Sequence, residues 1–214
     1  MLPPKPGQAA AQPAWRWVSE RGLQLVTAAA TLPRYEWLLS LKFPEIEDII
    51  PADGSLLLVL RRGAAVSDAL QAALDAPLAE ALAKPGVLHE IAVRYGGAAG
   101  PDLAALAEQA GMNAAAYVDC HAAVEFTVAF LGFQPGFPYL GGLPPALHAP
   151  RRASPRVRVP AGSVAIGGSY SGIYPAAGPG GWHLIGRTPA ELFDPQRAAP
   201  ALLQPGDRVR FVPL

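Results

Sequence analysis

The chain has 214 residues, 51% of them apolar and 16% charged, with a formal net charge of zero. That composition carries a core of domain size and excludes disorder except at the start. A neutral chain is a poor tracker of phosphate backbones or anionic surfaces, so nucleic-acid and membrane-surface binding are excluded as the main role.

Cys120 is the one cysteine, which rules out an intramolecular disulfide framework and a cysteine-based zinc site. Residues 1–14 are rich in Pro and Ala and lack the apolar run of a signal peptide. No stretch reaches the ~20 apolar residues that span a bilayer. A frayed tail on a soluble, cytoplasmic protein is expected.

In chain order, Gly22 to Thr27 predicts a strand, and Leu32 to Leu41 an amphipathic helix capped by Thr31. Ile46 to Pro51 and Ser55 to Arg61 predict two strands around the turn Pro51-Ala52-Asp53-Gly54. Val66, Leu70, Ala73, Leu74, Leu78 and Leu82 recur at helical spacing up to Ala83, and Pro85-Gly86 ends the run. Val87 to Tyr95 alternates as a strand. The order β-α-β-β-α-β is the ferredoxin-like pattern, here over residues 15–97. Pro101 to Ala110 and Asn113 to His121 predict two short helices, the second capped by Asn113, as a connector over 98–123.

From 124 onward the character changes. Residues 1–131 hold 19 Pro and Gly, and residues 132–214 hold 27. Short strands are predicted at Phe126–Phe130, Pro155–Val159, Ser163–Ile166, Gly172–Pro175, Trp182–Ile185 and Arg208–Val212, with a loop from Gly132 to Gly142. Such spacing suggests a small β-barrel. The fold class is α+β.

No Asp or Glu occurs from Phe126 to Ala190, while Arg151, Arg152, Arg156, Arg158 and Arg187 do. Guanidinium is a planar fork suited to carboxylate or phosphate, so these arginines are candidates for an anion cleft, against the alternative of a solvated rim. On a strand, Arg156 and Arg158 share one face and start about 7 Å apart. Gly178–Gly181, which includes Gly180 and Gly181, offers backbone N–H groups to an anion or else makes tight turns. Phe133, Phe137, Tyr139 and Trp182 are pocket walls or core. Gly136, Arg158, Ser163 and Tyr174 complete the candidate substrate-binding set. His121 is a candidate acid, base or hydrogen-bonding residue beside Arg151, Arg152 and Arg156, whereas a Cys120–His121 dyad is disfavoured because helix neighbours point about 100° apart. There is no P-loop, and no histidine has a second ligand at metal spacing.

The stretches GFQPGFPYLGGL, PRRASPRVRVPAGSVAIGG and GIYPAAGPGGWHLIGRTP closely resemble the family of bacterial 5-oxoprolinase B subunits, also called the KipI or allophanate hydrolase subunit 1 family. VRYGG at 93–97, GPDL at 100–103, FDP at 193–195 and the closing LLQPGDRVRFVPL fit too. The resemblance implies a ferredoxin-like N-terminal domain, then a cyclophilin-like β-barrel over 124–214. It implies partnership with the homologous C subunit of 5-oxoprolinase and with its A subunit, hydrolysing 5-oxoproline to glutamate at the expense of ATP, with magnesium shared with a partner and no biotin attachment site. Other members inhibit a sensor histidine kinase, and related domains serve urea carboxylase. Two segments depart from the family pattern: SERGLQL replaces a Gly-Asp-Xaa-Ala opening, and AVEF at 123–126 replaces Ser-Pro-Glu-Tyr. A cleft rich in donors and poor in bases implies that a partner subunit supplies the base and completes the site.

Overall fold

The computed structural model describes residues 14–77 and 86–214. They fall into two compact units, the first up to Ile50 and resuming at Gly54, the second taking Pro51–Asp53 and the chain from Ala81 on. Among the described residues no helix is long and apolar enough to cross a membrane.

The first unit is a four-stranded sheet with two helices. Its strands are β1 (Trp15–Trp17), β2 (Gly22–Val26), β3 (Ile46–Ala52) and β4 (Ser55–Leu60), in the order β1-β2-β4-β3. The alternation in β4 buries Leu56, Leu58 and Leu60. They pack with Leu38 of α1 (Thr31–Leu41) and with Leu70 and Leu74 of α2 (Asp68–Asp75). Ser67 caps α2 by accepting the Leu70 N–H at 3.1 Å. At its other end, the buried Arg34 guanidinium donates to the carbonyls of Ala73, Leu74 and Ala76 at 2.6, 3.2 and 3.0 Å. Thr31 is the first residue of α1 and not its cap: a single 3-10 turn, Ala28–Ala30, leads straight in. The predicted helix to Ala83 is seen as α2, and its Leu78 and Leu82 lie outside the described residues.

The second unit is a closed seven-stranded barrel. Its strands are β5 (Leu88–Tyr95), β6 (Glu125–Leu131), β7 (Pro138–Gly141), β9 (Ser163–Gly167), β10 (Tyr170–Ile173), β12 (His183–Arg187) and β13 (Arg208–Pro213). They close in the order β10-β7-β6-β13-β5-β12-β9. A separate two-stranded ribbon pairs β8 (Arg156–Val159) with β11 (Gly178–Gly180).

Two expectations are corrected. Strand β5 does not complete the front sheet: it runs parallel to β13 from Leu88↔Arg208 to Val93↔Pro213 and antiparallel to β12. Its alternation reports a buried face, Ile91 and Val93, but that face belongs to the barrel core. Nor are α3 (Leu103–Gln109) and α4 (Ala114–Ala122) a bare connector, since Leu103, Leu106, Ala107 and Tyr117 pack into the same core. Asn113 caps α4 by accepting the Ala116 N–H at 2.8 Å.

Candidate functional site: two clefts on the barrel unit joined by an aspartate

Asp102 sits at the start of α3, where a capping residue would, but its carboxylate makes no cap bond. Oδ2 accepts the Leu184 N–H of β12 at 2.7 Å. Oδ1 accepts from Arg156 at 2.7 Å and from Arg152 at 3.3 Å. Burial pushes this carboxyl upward, but the Arg156 and Leu184 hydrogen bonds and the charges of Arg156 and Arg152 outweigh it, and its pKa is lowered. Asp102 is therefore a fixed anion and a weak base. Gly100 allows this approach, because a Cβ there would meet the Ile185 backbone. The carboxylate that the arginine-rich stretch lacks thus reaches it from the GPDL segment upstream.

Arg152 faces the smaller cleft. About 170 Å³ in volume, it is lined by Phe133, Phe137, Tyr139, Arg151, Arg152, Pro155, Tyr174, Gly180, Gly181 and Trp182. Its rings meet edge to face: Phe137 stands 5.3 Å from Trp182 and 5.2 Å from Tyr174 between centroids. Glycines let them seat. A Cβ on Gly172 would lie 2.9 Å from Phe137 Cζ and 3.0 Å from Trp182 Cζ3, and one on Gly180 would strike the Tyr174 ring. Phe133 is at φ +66° yet 60% exposed, so burial does little to offset a left-handed cost of roughly 1–2 kcal/mol. That geometry holds its ring over Phe137 and Tyr174. Burial pushes the Tyr174 phenol upward, which keeps it protonated.

Arg156 faces the larger cleft, of about 730 Å³, whose wall includes Arg94, Arg156, Arg158, Ser163, Arg187 and Leu184. Arg156 and Arg158 line this one cleft, as their spacing on β8 predicts. Val157, between them, is 91% exposed because β8 has only a ribbon partner. Two guanidinium atoms, Arg152 Nε and Arg156 Nη1, are buried without a hydrogen-bond partner.

The predicted site residues thus separate. Arg151, Arg152, Phe133, Phe137, Tyr139, Tyr174, Gly180, Gly181 and Trp182 come together in the smaller cleft, while Arg156, Arg158 and Ser163 line the larger. Ser163 spends its hydroxyl on the Pro160 carbonyl at 2.8 Å. Gly136 lines neither cleft: at φ +77° it lies against Phe193 and the Leu192 carbonyl, as a turn. His121 also lines neither. It is fully buried, with Nδ1 2.8 Å from the Tyr95 hydroxyl and Nε2 2.9 Å from Ser171 Oγ. It stacks on Phe211 at 4.9 Å, and burial pushes its pKa down to about 3. Its environment makes it a neutral hydrogen-bonding strut of the core. Asp102 and Arg94 are the residues that sequence reasoning passes over; both stand in quoted motifs, GPDL and VRYGG.

The barrel with its flanking helices is a carboxyltransferase-type fold. Residues 11–203 match the family described as "Carboxyltransferase domain, subdomain C and D". The fold is shared with the Kluyveromyces lactis urea carboxylase at a TM-score of 0.71 and 19% identity, over 94% of this chain and 21% of that one. The crystal structure of TTHA0988 matches with a TM-score of 0.77 and 37% identity, over 91% of this chain and 40% of that one. The 5-oxoprolinase B subunit of Escherichia coli O157:H7 is 51% identical over 178 residues, 79% of each chain. The chain belongs to this carboxyltransferase-domain family, in the branch that holds the 5-oxoprolinase B subunits.

Proposed function

We propose that this chain is the B subunit of an ATP-dependent 5-oxoprolinase, working together with the homologous C subunit and the A subunit of that enzyme. The observation that carries the reading is the smaller cleft in a chain 51% identical to a 5-oxoprolinase B subunit. 5-Oxoproline is a flat five-membered lactam with one carboxylate. Phe137, Tyr139 and Trp182 give its ring apolar faces, and Arg151 and Arg152 give its carboxylate a charged fork. Arg152, held by Asp102, arrives pre-oriented, and the Arg151 guanidinium has no hydrogen-bonding or ion-pair partner among the described residues.

Amides resist water, and opening the ring needs an activated oxygen. ATP, when bound, would supply the phosphoryl group that activates the amide oxygen, so that water adds at the carbonyl carbon and the ring C–N bond breaks as the nitrogen takes up a proton. The protonated Tyr174 phenol and the arginines hold developing negative charge. Asp102 does not serve as the base, because its two oxygens are committed to Arg152, Arg156 and Leu184. The base and the magnesium ligands come from the partner subunits in this reading, so the chain is one half of a composite site.

Co-expression with homologues of the A and C subunits tests this directly. The expected result is release of glutamate from 5-oxoproline with ATP consumed in step, abolished when this chain is omitted. Absence of 5-oxoproline-dependent glutamate release from the full complex sinks the reading, and turnover by this chain alone sinks the composite site.

A further inference from the structure

We infer that the larger cleft is a binding site for the polyphosphate of a small molecule of the nucleoside di- or triphosphate class. Its lining holds four arginines, Arg94, Arg156, Arg158 and Arg187, and no Asp or Glu side chain. Among the described residues only Arg156 of these has a carboxylate partner, Asp102. Arg187 donates Nε to the Ala161 carbonyl at 3.0 Å, which leaves its charge uncompensated among the described residues. Among the described residues the guanidiniums of Arg94 and Arg158 have no hydrogen-bond or ion-pair partner. Three charges are therefore open in one cleft.

Arg94, Arg158 and Arg187 are exposed, so solvent screens them in part, and without an anion their placement is only mildly unfavourable. Arg94 and Arg187 are direct cross-strand partners of β5 and β12. Like charges so paired, with Cβ atoms about 4.5–5.5 Å apart, repel one another. Arg158 faces the same space from the ribbon, and Arg156 brings a buried unpartnered Nη1. A single carboxylate meets one such charge. A phosphate monoester carries about −1.5 to −2 near neutral pH, and a linked pair or triple of phosphates matches the whole set. The rest of the wall mixes apolar Pro101, Pro160, Pro189 and Leu184, which suit the organic part of such a molecule, with Ser163, Thr188 and the terminal Leu214.

Because Asp102 Oδ1 holds both Arg156 here and Arg152 in the aromatic cleft, the two sites share one anchor. A phosphate bound in the larger cleft lies beside the residues assigned to 5-oxoproline. The identity of the occupant as ATP rests on the function proposed above; the phosphate site does not.

Calorimetric titration of the full chain with inorganic tripolyphosphate, with ATP, and with a hexaglutamate peptide tests it. Saturable one-to-one binding of tripolyphosphate and ATP is expected. The double variant Arg94→Gln/Arg158→Gln is expected to weaken both by about tenfold or more. Arg16→Gln/Arg21→Gln, an equal change of charge in the first unit, leaves both within about twofold. No saturable binding, an equal loss in the two double variants, or tighter binding of hexaglutamate than of tripolyphosphate overturns the site. The titration needs no partner and no 5-oxoproline, so its failure and that of the oxoprolinase reading are told apart.

Discussion

Neutralising Asp102 removes the one charge that Arg152 and Arg156 both lean on. Asn keeps an acceptor for the Leu184 N–H, but its amide meets the guanidiniums without charge. The carboxylate is nearly buried, and its arginine partners are 33% and 23% exposed at the side chain. Solvent screens part of the loss, so Asp102→Asn should cost about 2–3 kcal/mol, below the range for a fully buried pair. Arg151→Gln removes a guanidinium without a hydrogen-bond or ion-pair partner among the described residues and should change stability by no more than about 0.5 kcal/mol. Urea denaturation of the two variants checks this, and equal stability of both would show that the anchor is not structural.

At the level of elements, the aromatic cleft is built by glycine as much as by rings. Gly172 and Gly168 look alike in the sequence, each a glycine in a segment of short strands and turns, yet they act differently. Gly172 lies under Phe137 and Trp182, whereas Gly168, at φ +65°, has nothing within 4 Å of where a Cβ would sit. Gly172→Ala should therefore overpack the rings, cost roughly 1–3 kcal/mol and weaken 5-oxoproline binding. Gly168→Asn should leave that binding unchanged, since Asn tolerates the left-handed backbone. Tryptophan fluorescence during ligand titration reads both, and indifference of the cleft to Gly172→Ala would contradict the seating. The same contrast marks what is legible in a sequence. Element types are readable from hydrophobic period: the strands at 55–60 and 88–95 and the Asn113 cap follow from alternation and side-chain chemistry. Partners are not. Period two reports a buried face and not the sheet that buries it, which is why alternation alone puts β5 in the wrong sheet. Gly178-Pro179-Gly180 has almost no side chains to alternate, so β11 reads as a loop. The wall of the smaller cleft is legible because aromatic and arginine side chains cluster in one segment. Asp102 is not, because it reaches that segment from another part of the chain.

Across the barrel as a whole, His121 ties α4 to strands on several sides. Its ring bonds Tyr95 of β5 and Ser171 of β10 and packs against Phe126 of β6 and Phe211 of β13. Burial holds its pKa at about 3, against an ordinary 6.5. The folded ring is then neutral, while the unfolded chain takes up a proton below 6.5. Stability is unaffected above that pH and falls as the pH drops through the window from 6.5 towards 3, by about 1.4 kcal/mol per pH unit once protonation of the unfolded form is complete. Asp102 adds its own loss only lower down, below the ordinary carboxylate value of 3.8, because its folded pKa is depressed. Between pH 6 and 4.5 the slope therefore carries His121's contribution apart from that of Asp102. His121→Gln does not titrate and should flatten the dependence in that interval by about one proton's worth. Denaturation midpoints of wild type and variant, measured at several pH values, give the difference. Should the variant fold poorly, the ring resonances of the wild-type protein decide instead: a His121 that titrates near 6.5 in the folded barrel contradicts the buried strut, and one that stays neutral to pH 4.5 supports it.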